Sequence, residues 1–290
     1  MASAYRSPAQ AQQVQAWCRA ALAEWLVPHE SHLIETTSGQ TNVVCAGVGD
    51  RGCVYLPGTN FNAASSTVVL SALASRCRVY AADLPGQPGL SAPGRPDDEL
   101  TGYATWVTEL IEWVRGRHGD GQLLLAGHSR GAAVGLSADP VTVDGLALVN
   151  PGGLTGVRPS LPMLRATVPW LLRRNDAGSR RLLDYMSGPG HVPSDALVEW
   201  MTLVTRACRT TGAPGPLPER ELVRWRGHRV CVAVGDHDAF FPSDRLSESS
   251  RALLGVDPVV VRRAGHLLVD EEPELVADLI TGLFSRGTQV

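Results

Sequence analysis

Leu123-Leu124-Leu125-Ala126-Gly127-His128-Ser129-Arg130-Gly131-Ala132-Ala133-Val134-Gly135-Leu136 is the stretch whose reading decides the fold. Its first four residues are apolar without alternation, as in a short strand buried on both faces of a parallel sheet. The residues after Gly131 continue as a helix. Between them lies G-x-S-x-G, and a sharp strand-to-helix turn requires glycines beside the serine because side chains there would clash. Such a turn lifts the Ser129 hydroxyl above the sheet, at a helix N-terminus that favours developing negative charge. A chain with 30 glycines also produces this pattern as an ordinary βα turn. The strand before it, the helix after it and the partners found elsewhere single out Ser129 as a nucleophile.

Outward from this turn, the chain from Gly52 repeats apolar strand, Gly/Pro-rich turn and helix. Strands are predicted at Cys53–Leu56, Val79–Ala82, Leu123–Ala126, Leu146–Val149, Val230–Val234 and Val259–Val261, and helices at Ala64–Ala74, Tyr103–Arg117 and Pro273–Leu283. The alternation predicts an α/β fold with a mostly parallel central sheet flanked by helices. Upstream, His32–Thr37 and Thr41–Ala46 read as a hairpin joined by Ser38-Gly39-Gln40. Residues 8–26 place Val14, Trp17, Leu22 and Trp25 at helical spacing, and Pro28 ends the run.

From about Thr155 to Val223 the alternation stops, and helical runs such as Met163–Leu172 and Ala196–Cys208 predict a helical cap. Residues 1–154 and 224–290 then form the core and 155–223 the insertion. Trp170, Leu171, Leu172, Tyr185, Met186 and Trp200 are candidates to roof a pocket, although packing the cap onto the core is the commoner role of such residues.

At 290 residues with 44% apolar and 19% charged residues, the chain can build one large core. A net charge of −3 offers no basic field, so neither nucleic acid nor a membrane is an expected partner. All 26 basic residues are arginine. Cys18, Cys45, Cys53, Cys77, Cys208 and Cys231 are scattered, without metal-ligand spacing, and read as core residues. Residues 1–30 lack the apolar run of a signal peptide, so a cytoplasmic protein with reduced thiols is expected.

A serine hydroxyl is a poor nucleophile at neutral pH and needs a base. Of eight histidines, His266 follows the strand Val259–Val261 and precedes the last helix, on a loop at the sheet edge where Ser129 should lie. His118, His191 and His228 fall in polar or Gly/Pro-rich loops, and His29 and His32 precede the core. His128, beside the nucleophile, is expected to line the pocket or pack beneath it. A third member should follow another strand end, and Val230–Val234 runs into Gly235-Asp236-His237-Asp238, which offers two carboxylates.

With the order Ser129, acid, His266, the chain resembles the α/β-hydrolase superfamily, and within it the bacterial carboxylesterase-like members, from about Glu35 to the C-terminus. The resemblance implies Asp238 as the acid that orients His266, with Asp236 capping the turn. It also implies an oxyanion hole built from the backbone N–H groups of Arg130 and Thr59. Pro57-Gly58 stands where the family typically has His-Gly, which removes a side chain and keeps the donor. Ala82–Ser91 looks like the family's D-x-x-G-x-G-x-S loop, widened by a residue. Asn150-Pro151-Gly152 is also familiar, and Asp139-Pro140 should stop the helix after the elbow about one turn early.

The implied activity is carboxylic ester hydrolysis through an acyl-enzyme, with a small-molecule acyl substrate and no cofactor or metal. Asn60, Phe61, His128, Trp170 and Phe240 are pocket candidates, and Phe241 and Trp200 would add to an apolar roof. The same three groups also serve thioester, lactone or amide cleavage, acyl transfer and C–C bond hydrolysis. A tailoring thioesterase, acyltransferase or cyclase, or a ligand-binding relative without catalysis, therefore stays open at the level of sequence.

Overall fold

The computed structural model describes residues 3–157, 159–209 and 211–285. Strands β1 (His29–Thr36) and β2 (Gly39–Ala46) form the hairpin, paired from His29↔Ala46 to Thr36↔Gly39. The turn is therefore Thr37-Ser38, one residue earlier than expected, with Gly39 at φ 92° opening the return strand. Strands β3 (Gly52–Leu56), β4 (Arg78–Ala82), β5 (Leu123–His128), β6 (Gly145–Val149), β7 (Val230–Gly235) and β8 (Val259–Val261) complete an eight-stranded sheet in the order β1-β2-β4-β3-β5-β6-β7-β8. The β1·β2 and β2·β4 pairings are antiparallel and the rest parallel.

The inner strands β3, β5, β6 and β7 are buried along their whole length. Two-residue periodicity sorts their side chains between two cores. Cys53 and Tyr55 join one face with helices α1 (Pro8–Glu24) and α2 (Thr67–Ala74). Val54 and Leu56 join the other with α3 (Glu99–His118) and α4 (Arg130–Leu136).

Capping explains where these helices begin and end. Ser7 Oγ accepts from Gln10 N–H at the start of α1, with Pro8 at the first position. Helix α3 starts four residues before the apolar pattern that predicts it, because Asp98 accepts from the Leu100 and Thr101 N–H groups. Helix α4 ends at Leu136, and Asp139-Pro140 opens a separate short turn capped by the Asp139 carboxylate.

Residues 155–223 hold four helices and, among the described residues, no strand: α5 (Leu161–Arg173), α6 (Asp176–Met186), α7 (Asp195–Ala207) and α8 (Glu219–Val223). Gly178 and Ser179 weaken the helical signal of α6 in the sequence, and the Asn175 side chain caps it. Trp170, Leu183, Met186, Val198 and Met201 share one buried cluster with the sheet, so the cap packs directly on the core. Leu172, expected as a roof candidate, instead points to solvent. The chain closes with α9 (Ser243–Leu254), α10 (Leu268–Glu271) and α11 (Pro273–Ser285). Among the described residues, no helix is long and apolar enough to cross a membrane.

Candidate active site

The parallel strands end at one edge of the sheet, and their loops meet there under the cap. Ser129 stands between β5 and α4 at φ 51°, ψ −109°, a left-handed conformation that costs about 1–3 kcal/mol for a non-glycine residue. Backbone bonds hold it there. Its N–H donates to Val149 O at 3.0 Å, and its carbonyl accepts from Ala132, Ala133 and Gly152. The flanking glycines are required by close approach, because a Cβ on Gly131 would lie 2.0 Å from Leu56 O.

The Ser129 Oγ lies 3.0 Å from His266 Nε2, and His266 Nδ1 lies 3.0 and 3.1 Å from the two Asp238 oxygens. A carboxylate accepts only, so Nδ1 carries the proton and Nε2 presents its lone pair to the serine hydroxyl. Both His266 and Asp238 are buried. Burial alone would push the Asp238 carboxyl up, but the His266 imidazole and the donors around it hold it below the usual range. Those donors are Phe240 N–H and Phe241 N–H on Oδ1, at 2.8 and 3.0 Å, and Asn150 Nδ2 on Oδ2, at 2.6 Å. Asp236 instead pairs with His237 at the surface, 2.6 Å away.

His128 Nε2–H donates to the His266 carbonyl at 2.8 Å. Burial, with the neighbouring His266, pushes its pKa down to about 3, so it is a neutral framing residue at working pH. The rings of Phe240 and Phe241 pack on His266 with centroids 4.8 and 5.6 Å away.

The Thr59 and Arg130 backbone N–H groups donate to no protein acceptor among the described residues, which leaves both available. The loop carrying Thr59 is fixed on both sides of its next residue. Asn60 N–H donates to Gln87 Oε1 at 3.0 Å, and its carbonyl accepts from Trp200 Nε1 at 2.9 Å. The Arg130 side chain, itself buried, pairs with Glu99 at 2.7 Å and donates to Thr59 Oγ1 at 3.3 Å and Gly212 O at 2.8 Å. It thereby ties the Thr59 loop to the segment that follows α7.

Above Ser129 lies a cavity of about 370 Å³. Thr59, Asn60, Phe61, His128, Trp170, Phe240 and His266 all line it, as do Met163, Met186 and Met201 from the cap. Among the described residues, no acidic or arginine side chain faces it. Trp200 and Phe241, expected in the roof, are absent from the lining. Trp200 is stacked against Trp17 with centroids 4.6 Å apart, and Phe241 is buried beneath His266.

Two contributors escape a reading of the sequence. Asn150 is a motif residue whose task emerges only in three dimensions, where its amide bridges Asp238 and Gly265 O, 3.1 Å away. Its φ of 44°, which asparagine tolerates better than most residues, is the local signal. The Arg130 side chain is the other. Among the described residues no group of three His, Cys, Asp or Glu side chains could hold a metal ion, and no two of the six cysteines form a disulfide.

Residues 53–279 match the Alpha/beta hydrolase family. The chain is 22% identical over 285 residues to carboxylesterase YbfK of Bacillus subtilis (strain 168), covering 92% of this chain and 91% of that one. The crystal structure of that carboxylesterase, CesB (YbfK), superposes with a TM-score of 0.77 at 20% identity, over 96% of this chain and 99% of the other. Naproxen esterase (carboxylesterase NP) from Bacillus subtilis superposes with a TM-score of 0.75 at 21% identity, over 95% and 97%. By the match across most of its length and by its architecture, the chain belongs to the α/β hydrolase family.

Proposed function

We propose that the protein is a serine hydrolase that cleaves carboxylic esters of apolar acids through an acyl-enzyme. One observation carries the reading: the unbroken row of hydrogen bonds from Ser129 Oγ through His266 to Asp238, with Ser129 and His266 at the wall of a mostly apolar cavity. His266 Nε2 takes the Oγ proton as Oγ bonds to the acyl carbon, while Thr59 and Arg130 N–H stabilise the oxyanion. Collapse of the tetrahedral intermediate breaks the ester C–O bond, and the imidazolium returns its proton to the leaving alkoxide. Water, deprotonated by His266, then attacks the acyl-enzyme and releases the acid with Ser129 restored. Asp238 holds the imidazole in the useful tautomer and stabilises its charged form.

The cavity supports an apolar acyl group, since burying an unpaired carboxylate there would cost several kcal/mol or more. Met163, Met186 and Met201 are flexible side chains that adapt to bulky groups. The names of the two superposed relatives, both carboxylesterases, favour esters over the other bonds open to this chemistry.

The test is covalent labelling with a fluorophosphonate, the adduct located by peptide mass spectrometry, alongside turnover of p-nitrophenyl esters and the matching acyl thioesters. Labelling at Ser129 and faster ester than thioester turnover are expected, with turnover in Ser129→Ala lower by on the order of 10⁵–10⁶. Folded protein that is not labelled, or is labelled elsewhere, overturns the mechanism.

A further inference from the structure

Glu271 lies outside the cavity and outside the row of Ser129, His266 and Asp238, yet its carboxylate joins two chain segments that set the position of the base. Its Oε2 accepts from Gly265 N–H, directly before His266, at 2.6 Å. Its Oε1 accepts from Gly188 N–H, two residues past the end of α6, at 2.9 Å. The same segments meet again where His266 N–H donates to Met186 O at 2.7 Å and the Arg263 side chain donates to Pro189 O at 3.2 Å. They approach so closely that a Cβ on Gly265 would lie 2.3 Å from Met186 O, and one on Gly188 2.2 Å from Arg263 O.

The sheet gives this loop little support. Strand β8 is a three-residue edge strand held by β7 alone, and Arg263, just after it, is left-handed at φ 61°. What a longer strand would do falls to the hydrogen bonds to the end of α6, to those that the loop carbonyls accept from His237 N–H, Asn150 and His128, and to the Glu271 carboxylate.

We propose that Glu271 is a positioning residue for the base. Its carboxylate fastens the His266 loop to the end of α6, so that Nε2 meets Ser129 Oγ, and it couples the cavity wall at Met186 to the catalytic row. The inference rests on His266 being the base of the proposed hydrolase.

Glutamine is no substitute, because its amide would turn an NH₂ toward one of two N–H donors. Aspartate keeps both acceptors and the charge on a shorter arm. In Glu271→Gln and Glu271→Ala, kcat and the fluorophosphonate labelling rate should fall by about 10–100-fold. KM should stay within about twofold, because Glu271 does not line the cavity, and Glu271→Asp should recover part of the rate. Assays are run well below each variant's unfolding midpoint, so that folded protein is compared.

A second readout needs no turnover: the low-field proton resonance of His266 Nδ1–H against Asp238, which should broaden or move upfield in Glu271→Gln. Wild-type labelling at Ser129 together with an unchanged rate in Glu271→Gln, or a raised KM at constant kcat, overturns the positioning role. An unchanged Nδ1–H resonance in Glu271→Gln overturns it too, even where no wild-type labelling is seen. Absent wild-type labelling by itself condemns the hydrolase reading, which keeps the two failures apart.

Discussion

Replacing Asn150 by glycine removes one amide from the site and little else. The backbone at 150 is left-handed, which glycine adopts without strain, and the Asn150 N–H bond to Ala233 O is kept. What disappears is the 2.6 Å bond to Asp238 Oδ2 and the 3.1 Å bond to Gly265 O. A hydrogen bond to a charged group contributes about 1.5–3 kcal/mol and a neutral one about 1 kcal/mol. If roughly 1.4–2.8 kcal/mol of this is felt where Asp238 stabilises the imidazolium, kcat/KM falls about 10–100-fold.

The pH dependence follows with a definite sign. Asp238 is depressed in the folded state, so its ionised form contributes stability above its unfolded value, and this is lost as pH falls through the folded one. Losing a donor raises the folded value, so both activity and stability of Asn150→Gly should fade at higher pH than in wild type. Asn150→Asp should be worse at neutral pH, because two carboxylates in contact cannot both stay ionised. The assay is kcat/KM for a p-nitrophenyl ester from acidic to alkaline pH, with unfolding midpoints measured at the same points. Asn150→Gly that keeps wild-type kcat/KM and midpoint throughout would refute the reasoning.

Arg130→Ala keeps the backbone N–H assigned to the oxyanion but cuts the ties to Glu99, Thr59 and Gly212. It should lower unfolding stability by about 2–4 kcal/mol and make residues 211–218 cleavable in limited proteolysis; an unchanged midpoint and digestion pattern would count against the tie. Asp270 has an Oδ2 buried without a hydrogen-bond partner among the described residues, although the residue's edge reaches solvent, and burial beside Glu271 pushes its pKa up to about 7. The unfolded chain ionises near 3.8, so wild type should lose stability as pH rises from there through 7. In Asp270→Asn that loss should shrink by on the order of 2 kcal/mol between pH 5 and 8, measured by denaturant unfolding; parallel stability curves for the two proteins would rule it out.

Parts of the site that rest on local constraints were legible in the sequence. The elbow at Ser129 needs glycines whatever the rest of the chain does, and the inner strands announce their two-sided burial as unbroken apolar runs. The acid was harder, because Asp236 and Asp238 share one turn. Resemblance favours Asp238, and the fold supplies the physical reason: its carboxylate meets Phe240 and Phe241 N–H, whereas Asp236 stays at the surface. Asn150 and Glu271 act across 88 and 83 residues of chain, respectively, on Asp238 and Gly188, and no spacing rule reaches that far. Trp200 sits at a helical spacing that fits a cavity wall, but its place between Trp17 and the Asn60 carbonyl depends on how α1 and the Thr59-Asn60 loop pack against α7.

Three of the four methionines of the chain line the cavity, and the fourth is Met1. Isotope labelling of methionine methyl groups would therefore give a spectrum of the binding chamber almost free of background. The Met163, Met186 and Met201 signals sample three cap helices, so a ligand that fills only part of the chamber would shift them unequally and report its own orientation. Met186 also accepts the His266 N–H through its carbonyl, so its methyl would register the loop of the base as well as the occupant.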